Sequence, residues 1–312
     1  MTEKRKSILN SSRELLLVVV VIVLCIIWTI LNPQFIKFTN ITNILRQGSY
    51  TAIAAVGMTM VIVIGEIDLS AGSLVCATGL AGAMACKATG SLILGVLTAL
   101  AIGALVGLCN GVLCAKGKLP GFIATLASMT ILRGLAYIVT GGNSVVWSND
   151  TFTKIGTGYV WVIPIPVIIM VFVLIFGVIL TTKLRFGRYI YAVGGNMETS
   201  RWSGIAVDKV KIIVYMIMGI LTSIAGLIIV TRLGSGQPSA GQNFEMDCIT
   251  AAVVGGTSMS GGKGKIMGTF VGVVLLTVLT NGMTLVGINT YWQQVFKGVI
   301  IVVSVLAERS KK

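Results

Sequence analysis

Apolar stretches of about 20 residues recur from Leu15 almost to the end of the chain, and the short segments between them gather nearly all of the charge. Few folds accommodate that pattern. A segment of this length and polarity crosses a bilayer as a helix, because lipid offers backbone N–H and C=O groups no partner outside the segment. Only 11% of the 312 residues are charged, against about 25% in a soluble domain. The expectation is an all-α, polytopic transmembrane helix bundle forming one membrane domain over residues 1–312, with no separate soluble catalytic domain.

Hydropathy and length place about ten spans at 15–31, 49–64, 70–86, 91–113, 121–139, 162–182, 212–230, 246–258, 266–286 and 291–307. The first of these is too long for a signal peptide and is read as a retained span after a basic tail, residues 1–14. An even number puts both ends on one side. Seventeen of the 24 bases then fall on the side of the amino end, five on the other, and Arg133 and Lys297 within spans. By the positive-inside rule the N and C termini are cytoplasmic. The net charge of +14 follows from this topology, and no nucleic-acid partner is implied. The six cysteines lie in apolar stretches without a CxxC, and histidine is absent. No metal site and no histidine base are expected. Small residues four apart, as at 79–83 and 103–107, suit close helix packing in lipid.

The segment 183–211 differs from the rest: six bases face two acids, and such charge does not sit in hydrocarbon. Asn196 can cap a short helix and Gly204 can take the left-handed turn that ends it. The result is a peg outside the membrane, or else a solvated basic loop with an incidental helical turn.

Two places break the helical pattern. One is Gly65 to Ser70, with Glu66, Asp68 and Ser70, where Ser70 can cap the third helix. The other is Gly234 to Asp247, with Gln237, Glu245 and Asp247, followed by a run too short to cross upright. Both carry Glu-x-Asp, and broken segments can mark a transport path, although the spacings around the two do not match. These residues, with Arg133 and Asn281, are the path or gate candidates. Lys297, beside Tyr291 and Trp292, reads as snorkelling or bonded to a backbone carbonyl. All ten acids lie in loops or at span edges, which argues against a proton-driven carrier. The glycine-rich run 255–264 fails as a phosphate loop, since Thr257 occupies the first glycine position and Gly264 replaces the Mg²⁺-binding Ser/Thr. It reads as a flexible cytoplasmic turn. No catalytic residues are assigned, and ATP, if used, is hydrolysed on another chain.

The stretches GEIDLSAGS (65–73), FIATL (122–126) with LRGL (132–135), GRYIYAVGGN (187–196), SGI (203–205), QP (237–238) and AAVVGGTS (251–258) with GGKG (261–264) resemble the permease subunits of bacterial ABC importers for monosaccharides. The resemblance runs from about residue 33 to 306, departs from the family's usual glycine at Glu66, and is more specific for the family than for the sugar, with ribose implied first. It implies a multi-pass protein of the bacterial inner membrane in contact with lipid, paired with a second permease copy as a homodimer. ATP-binding cassette subunits would use ATP and Mg, and a periplasmic sugar-binding protein would deliver the substrate. It makes 183–211 the coupling loop, with Gly194, Gly195, Asn196, Glu198, Arg201, Ser203 and Gly204 meeting the ATPase. A passive channel or ion-coupled carrier for small neutral solutes, a structural membrane subunit and a membrane enzyme remain alternatives.

Overall fold

The computed structural model describes the backbone of residues 3–309 and the side chains of residues 15–306. The described chain is almost entirely helical: α1 Glu3–Leu31, α2 Phe38–Val63, α3 Ala71–Thr89, α4 Leu92–Ala115, α5 Gly121–Thr140, α6 Asp150–Thr157, α7 Ile165–Thr182, α8 Arg185–Gly195, α9 Met197–Trp202, α10 Val207–Leu233, α11 Phe244–Val254, α12 Ile266–Leu285 and α13 Thr290–Arg309. The only sheet among the described residues is a two-residue hairpin, Tyr159–Val160 with Ile163–Pro164.

Each of the ten expected segments falls on a helix. Six of these helices (α3, α4, α5, α7, α10 and α12) are long and apolar enough to cross a membrane. The second runs further than hydropathy indicates: α2 begins at Phe38, because its first turns carry Asn40, Arg46 and Gln47 and so escape an apolar count. Helix α1 is continuous from Glu3, so the expected tail is helical from there; the side chains of its bases lie outside the described residues.

Burial separates inner from outer helices. Helices α3 and α12 bury 67% of their most apolar window and α10 buries 61%, against 22% for α4 and α5. Helix α2 is buried continuously from Thr51 to Ile64 and forms the axis of the bundle. The outer helices turn Leu15, Ile22, Leu97, Leu105, Ile138 and Phe172 outward, as lipid-facing surfaces do.

The glycine stripe of α4 lets α10 approach. A Cβ at Gly107 would fall 2.8 Å from the Met216 Cα, and one at Gly111 would fall 2.7 Å from the Ile212 Cα. Small residues at this spacing set the separation of the two backbones, so the packing role expected for the glycines holds here.

Candidate functional site

Helix α2 ends in a local stop signal. Gly65 takes φ +83, its N–H donates to the Ile62 carbonyl at 2.9 Å, and the Glu66 N–H donates to the Val61 carbonyl at 3.1 Å. This paired arrangement needs a left-handed residue, which glycine takes at no steric cost. Beyond it the chain runs extended along α5, where the Thr125 hydroxyl accepts the Leu69 N–H at 3.0 Å and donates to the Ile67 carbonyl at 3.2 Å.

Asp68 and Ser70 come together, in roles opposite to expectation. Ser70 makes no side-chain cap to α3. Instead Asp68 Oδ1 accepts both the Ser70 N–H, at 2.8 Å, and the Ser70 hydroxyl, at 2.6 Å. A single carboxylate oxygen has two lone pairs and so accepts both donors at once, closing a local turn before α3. Asn110 of α4 then donates to Ser70 Oγ at 3.2 Å, and Ser128 of α5 donates to Asn110 Oδ1 at 2.5 Å. A polar chain thus ties the first break to two helices inside the bundle.

The second break meets the first. After Gly234, also left-handed at φ +70, the chain pairs with Val145 at Gly236. Arg133 then donates to the carbonyls of Pro238 and Ala240, both at 2.8 Å. Arg133 lies seven residues from the Thr140 end of α5, about 10 Å along it, so the segment dips into the bundle from that end. There Gly72, at the start of α3, lies so close to Gly241 and Glu245 that any Cβ on it would strike the Gly241 carbonyl and the Glu245 carboxylate. The two breaks are remote in sequence and adjacent in space.

Each Glu-x-Asp motif is divided the same way. One acid is buried: Asp68 is 2% exposed and Glu245 is 3% exposed. The other is paired with a lysine: Lys211 to Glu66 at 2.5 Å, and Lys297 to Asp247 at 2.6 Å. Loop and span-edge positions therefore do not mean solvated acids here. Lys297 neither snorkels nor takes a carbonyl; it has a carboxylate partner. Lys211, counted above with the exposed bases of 183–211, is 7% exposed in the second turn of α10. The other five bases of that segment are exposed. The Gln237 side chain donates to Ser235 Oγ at 3.2 Å, and its backbone carbonyl accepts the Cys76 thiol at 3.5 Å. Asn281 stands apart, its amide exchanging two 2.9 Å bonds with that of Asn40.

The peg is present. Asn196 Oδ1 accepts the Thr199 N–H at 2.9 Å at the start of α9. At its end Gly204, φ +80, closes the same paired stop as Gly65, with Gly204 N–H to the Arg201 carbonyl and Ile205 N–H to the Ser200 carbonyl, both 3.0 Å. Glu198 sits in the first turn, where the helix dipole favours it, 3.8 Å from Arg201, which also reaches Asp208 at 3.3 Å. Ser203 returns its hydroxyl to the Thr199 carbonyl. Trp202, 85% exposed, is a residue the sequence reading passed over. An indole left bare on a short charged helix was its signal.

The preceding helix, α8, was also missed. It buries Gly187, Ile190 and Val193 on one side and exposes Arg185, Arg188 and Tyr189 on the other. It carries α9 on a rigid mount. A Cβ on Gly194 would collide with the Val63 carbonyl at the end of α2 and approach the Gly262 nitrogen to 2.7 Å. Gly262 itself donates to that Val63 carbonyl at 2.8 Å. Tyr191 donates to the Gly264 carbonyl at 2.8 Å, and burial pushes its phenol up. The run 255–264 is thus a packed joint between α8 and α2, where a flexible turn was expected. Gly195 has open space around its Cβ position.

Residues 40–305 match the model of the family described as branched-chain amino acid transport system / permease component. The ribose import permease protein of Haemophilus influenzae is 44% identical over 92% of this chain and 90% of its own length. That of Bacillus subtilis is 42% identical over 93% and 90%. The xylose transport system permease protein of Escherichia coli K12 is 33% identical over 91% and 88%. No solved structure matches the chain.

Proposed function

The chain belongs to the family of branched-chain amino acid transport system / permease components, and from that premise we propose that it is the membrane-spanning subunit of an ATP-driven importer that carries a monosaccharide, ribose first, across the bacterial inner membrane. The names of its full-length relatives support the sugar and the direction. The observation that carries the coupling is the capped, exposed helix α9, mounted through Gly194 directly on the end of the central helix α2. A push on such a peg reaches the axis of the bundle without passing through a flexible link.

In this reading the chain is a transport subunit without a nucleotide site. Partner cassettes hold ATP and Mg and dock on α9. A periplasmic sugar-binding protein docks on the opposite face, and a second copy of the permease completes the path. The ten expected segments cross the membrane, the eighth as the dipping segment before α11 together with α11 itself, with both termini cytoplasmic. Glu66, Asp68, Ser70, Arg133, Gln237, Glu245 and Asp247 frame the path at the meeting of the two breaks. Asn281 braces α2 against α12.

Reconstitution with a cassette subunit and a ribose-binding protein in proteoliposomes tests the reading. Uptake of labelled ribose should require ATP and both partners. Uptake that proceeds without ATP would instead establish the passive channel. For topology, single cysteines near Asp150 and Lys312 should label from opposite sides.

A further inference from the structure

Between α11 and α13 lies a cavity of 390 Å³ whose walls include Gln242, Asn243, Asp247, Gln293, Gln294 and Lys297. Its size falls within the ~300–1,000 Å³ of small-molecule sites. It lies along the first turns of α13, toward the membrane face remote from α9. The same helix turns Val295, Val299, Val302 and Leu306 outward, as lipid requires. An open recess of amides beside a partly exposed ion pair does not suit lipid, where polar groups lack partners. The recess suits water.

The charges cancel within the wall. Lys297 and Asp247 lie 2.6 Å apart, with side chains 25% and 30% exposed. Gln242, Asn243, Gln293 and Gln294 are neutral amides that both donate and accept, while Met246 and Ile301 add apolar surface to the same wall. A site with that balance favours a neutral solute bearing many hydroxyls over an ion. On the far side of the ion pair a pocket of 20 Å³ is lined by Gln47, Thr51, Thr277 and Thr280. The pair therefore separates a solute-sized recess from a polar space too small for a sugar.

We propose that this recess is a sugar-contact site on the outer part of the path. Gln242, Asn243 and Gln294 meet the hydroxyls, and the Asp247–Lys297 pair forms the inner wall. This rests on the reading of the chain as a monosaccharide permease. Gln293 has a positioning role, since its amide donates to Thr284 Oγ1 and the Ile288 carbonyl, both at 3.1 Å.

The test uses Gln294→Cys in the full importer, exposed to a membrane-impermeant thiol reagent on the face opposite α9, with the unsubstituted chain and Val299→Cys as controls. Gln294→Cys should label, Val299→Cys should not, and labelling should cut ribose uptake at least tenfold. An unlabelled Gln294→Cys overturns the proposal, whether lipid covers the site or a second copy does, the latter being seen as a disulfide-linked dimer. Labelling with uptake unchanged also overturns it, because the recess is then wet but off the path. If uptake proves independent of ATP yet is still blocked by the label, the importer reading fails and the contact site stands.

Discussion

Lys211 and Glu66, 145 residues apart, form an ion pair 2.5 Å long with side chains only 9% and 12% exposed. The second carboxylate oxygen of Glu66 accepts the Gly121 N–H at 2.8 Å, so one acid ties together the end of α2, the start of α5 and the start of α10.

Removing one partner should cost more than removing both. Lys211→Met leaves a buried carboxylate uncompensated, worth ~3–5 kcal/mol of destabilisation. Lys211→Met with Glu66→Gln should regain most of that. Thermal unfolding of the detergent-solubilised protein should rank the single variant well below the double. Equal midpoints would mean that the pair contributes nothing specific.

Arg133 holds the dipping segment through two carbonyls. Hydrogen bonds to a charged group contribute about 1.5–3 kcal/mol each, so Arg133→Leu should loosen 234–243 in particular. Amide exchange there should rise severalfold while α2 and α12 stay protected, and uptake should fall. Arg133→Lys keeps the charge but not the reach and planar geometry that bring one guanidinium nitrogen to both carbonyls, and should fall between. Unchanged exchange at 234–243 removes this role.

Adjacent glycines should behave oppositely. Gly194→Ala places a methyl against the Val63 carbonyl and the Gly262 nitrogen and should lower sugar-stimulated ATP hydrolysis at least severalfold. Gly195→Ala meets open space and should be near wild type. Both can be read in one ATPase assay, and similar values for the two would contradict the joint at α8, α2 and residues 261–262.

If α9 docks a cassette as proposed, docking depends on its ends and on one bare side chain. Gly204→Val forces a β-branched residue to positive φ, a strain of ~1–2 kcal/mol, whereas Gly204→Asn should be mild. Glu198→Arg reverses charge in the first turn. Trp202→Ala should weaken cassette binding by at least tenfold if the indole anchors the interface, as exposed Trp residues at contact centres do. All four variants should insert normally. Full cassette binding and sugar-stimulated ATPase activity in Gly204→Val, Glu198→Arg and Trp202→Ala alike would reduce the segment to a basic loop.

The features readable from the residues alone rest on short-range physics. Hydropathy summed over a span needs no partner, so the helices at 71–89, 92–115, 121–140 and 266–285 were legible nearly to their ends. The short helix α9 was equally legible, because Asn196 and Thr199 are three residues apart and the conformation of Gly204 is a local matter. The pairing of charges was decided only in the tertiary structure. Glu66 finds Lys211, Asp247 finds Lys297 across 50 residues, and Arg133 finds carbonyls more than 100 residues away. No spacing rule encodes those partners. Burial of Asp68 and Glu245 likewise follows from the meeting of the two breaks, which brings acids at helix ends into the interior. Gly194 and Gly195 are indistinguishable as letters; only the approach of the Val63 carbonyl to one of them tells the two apart.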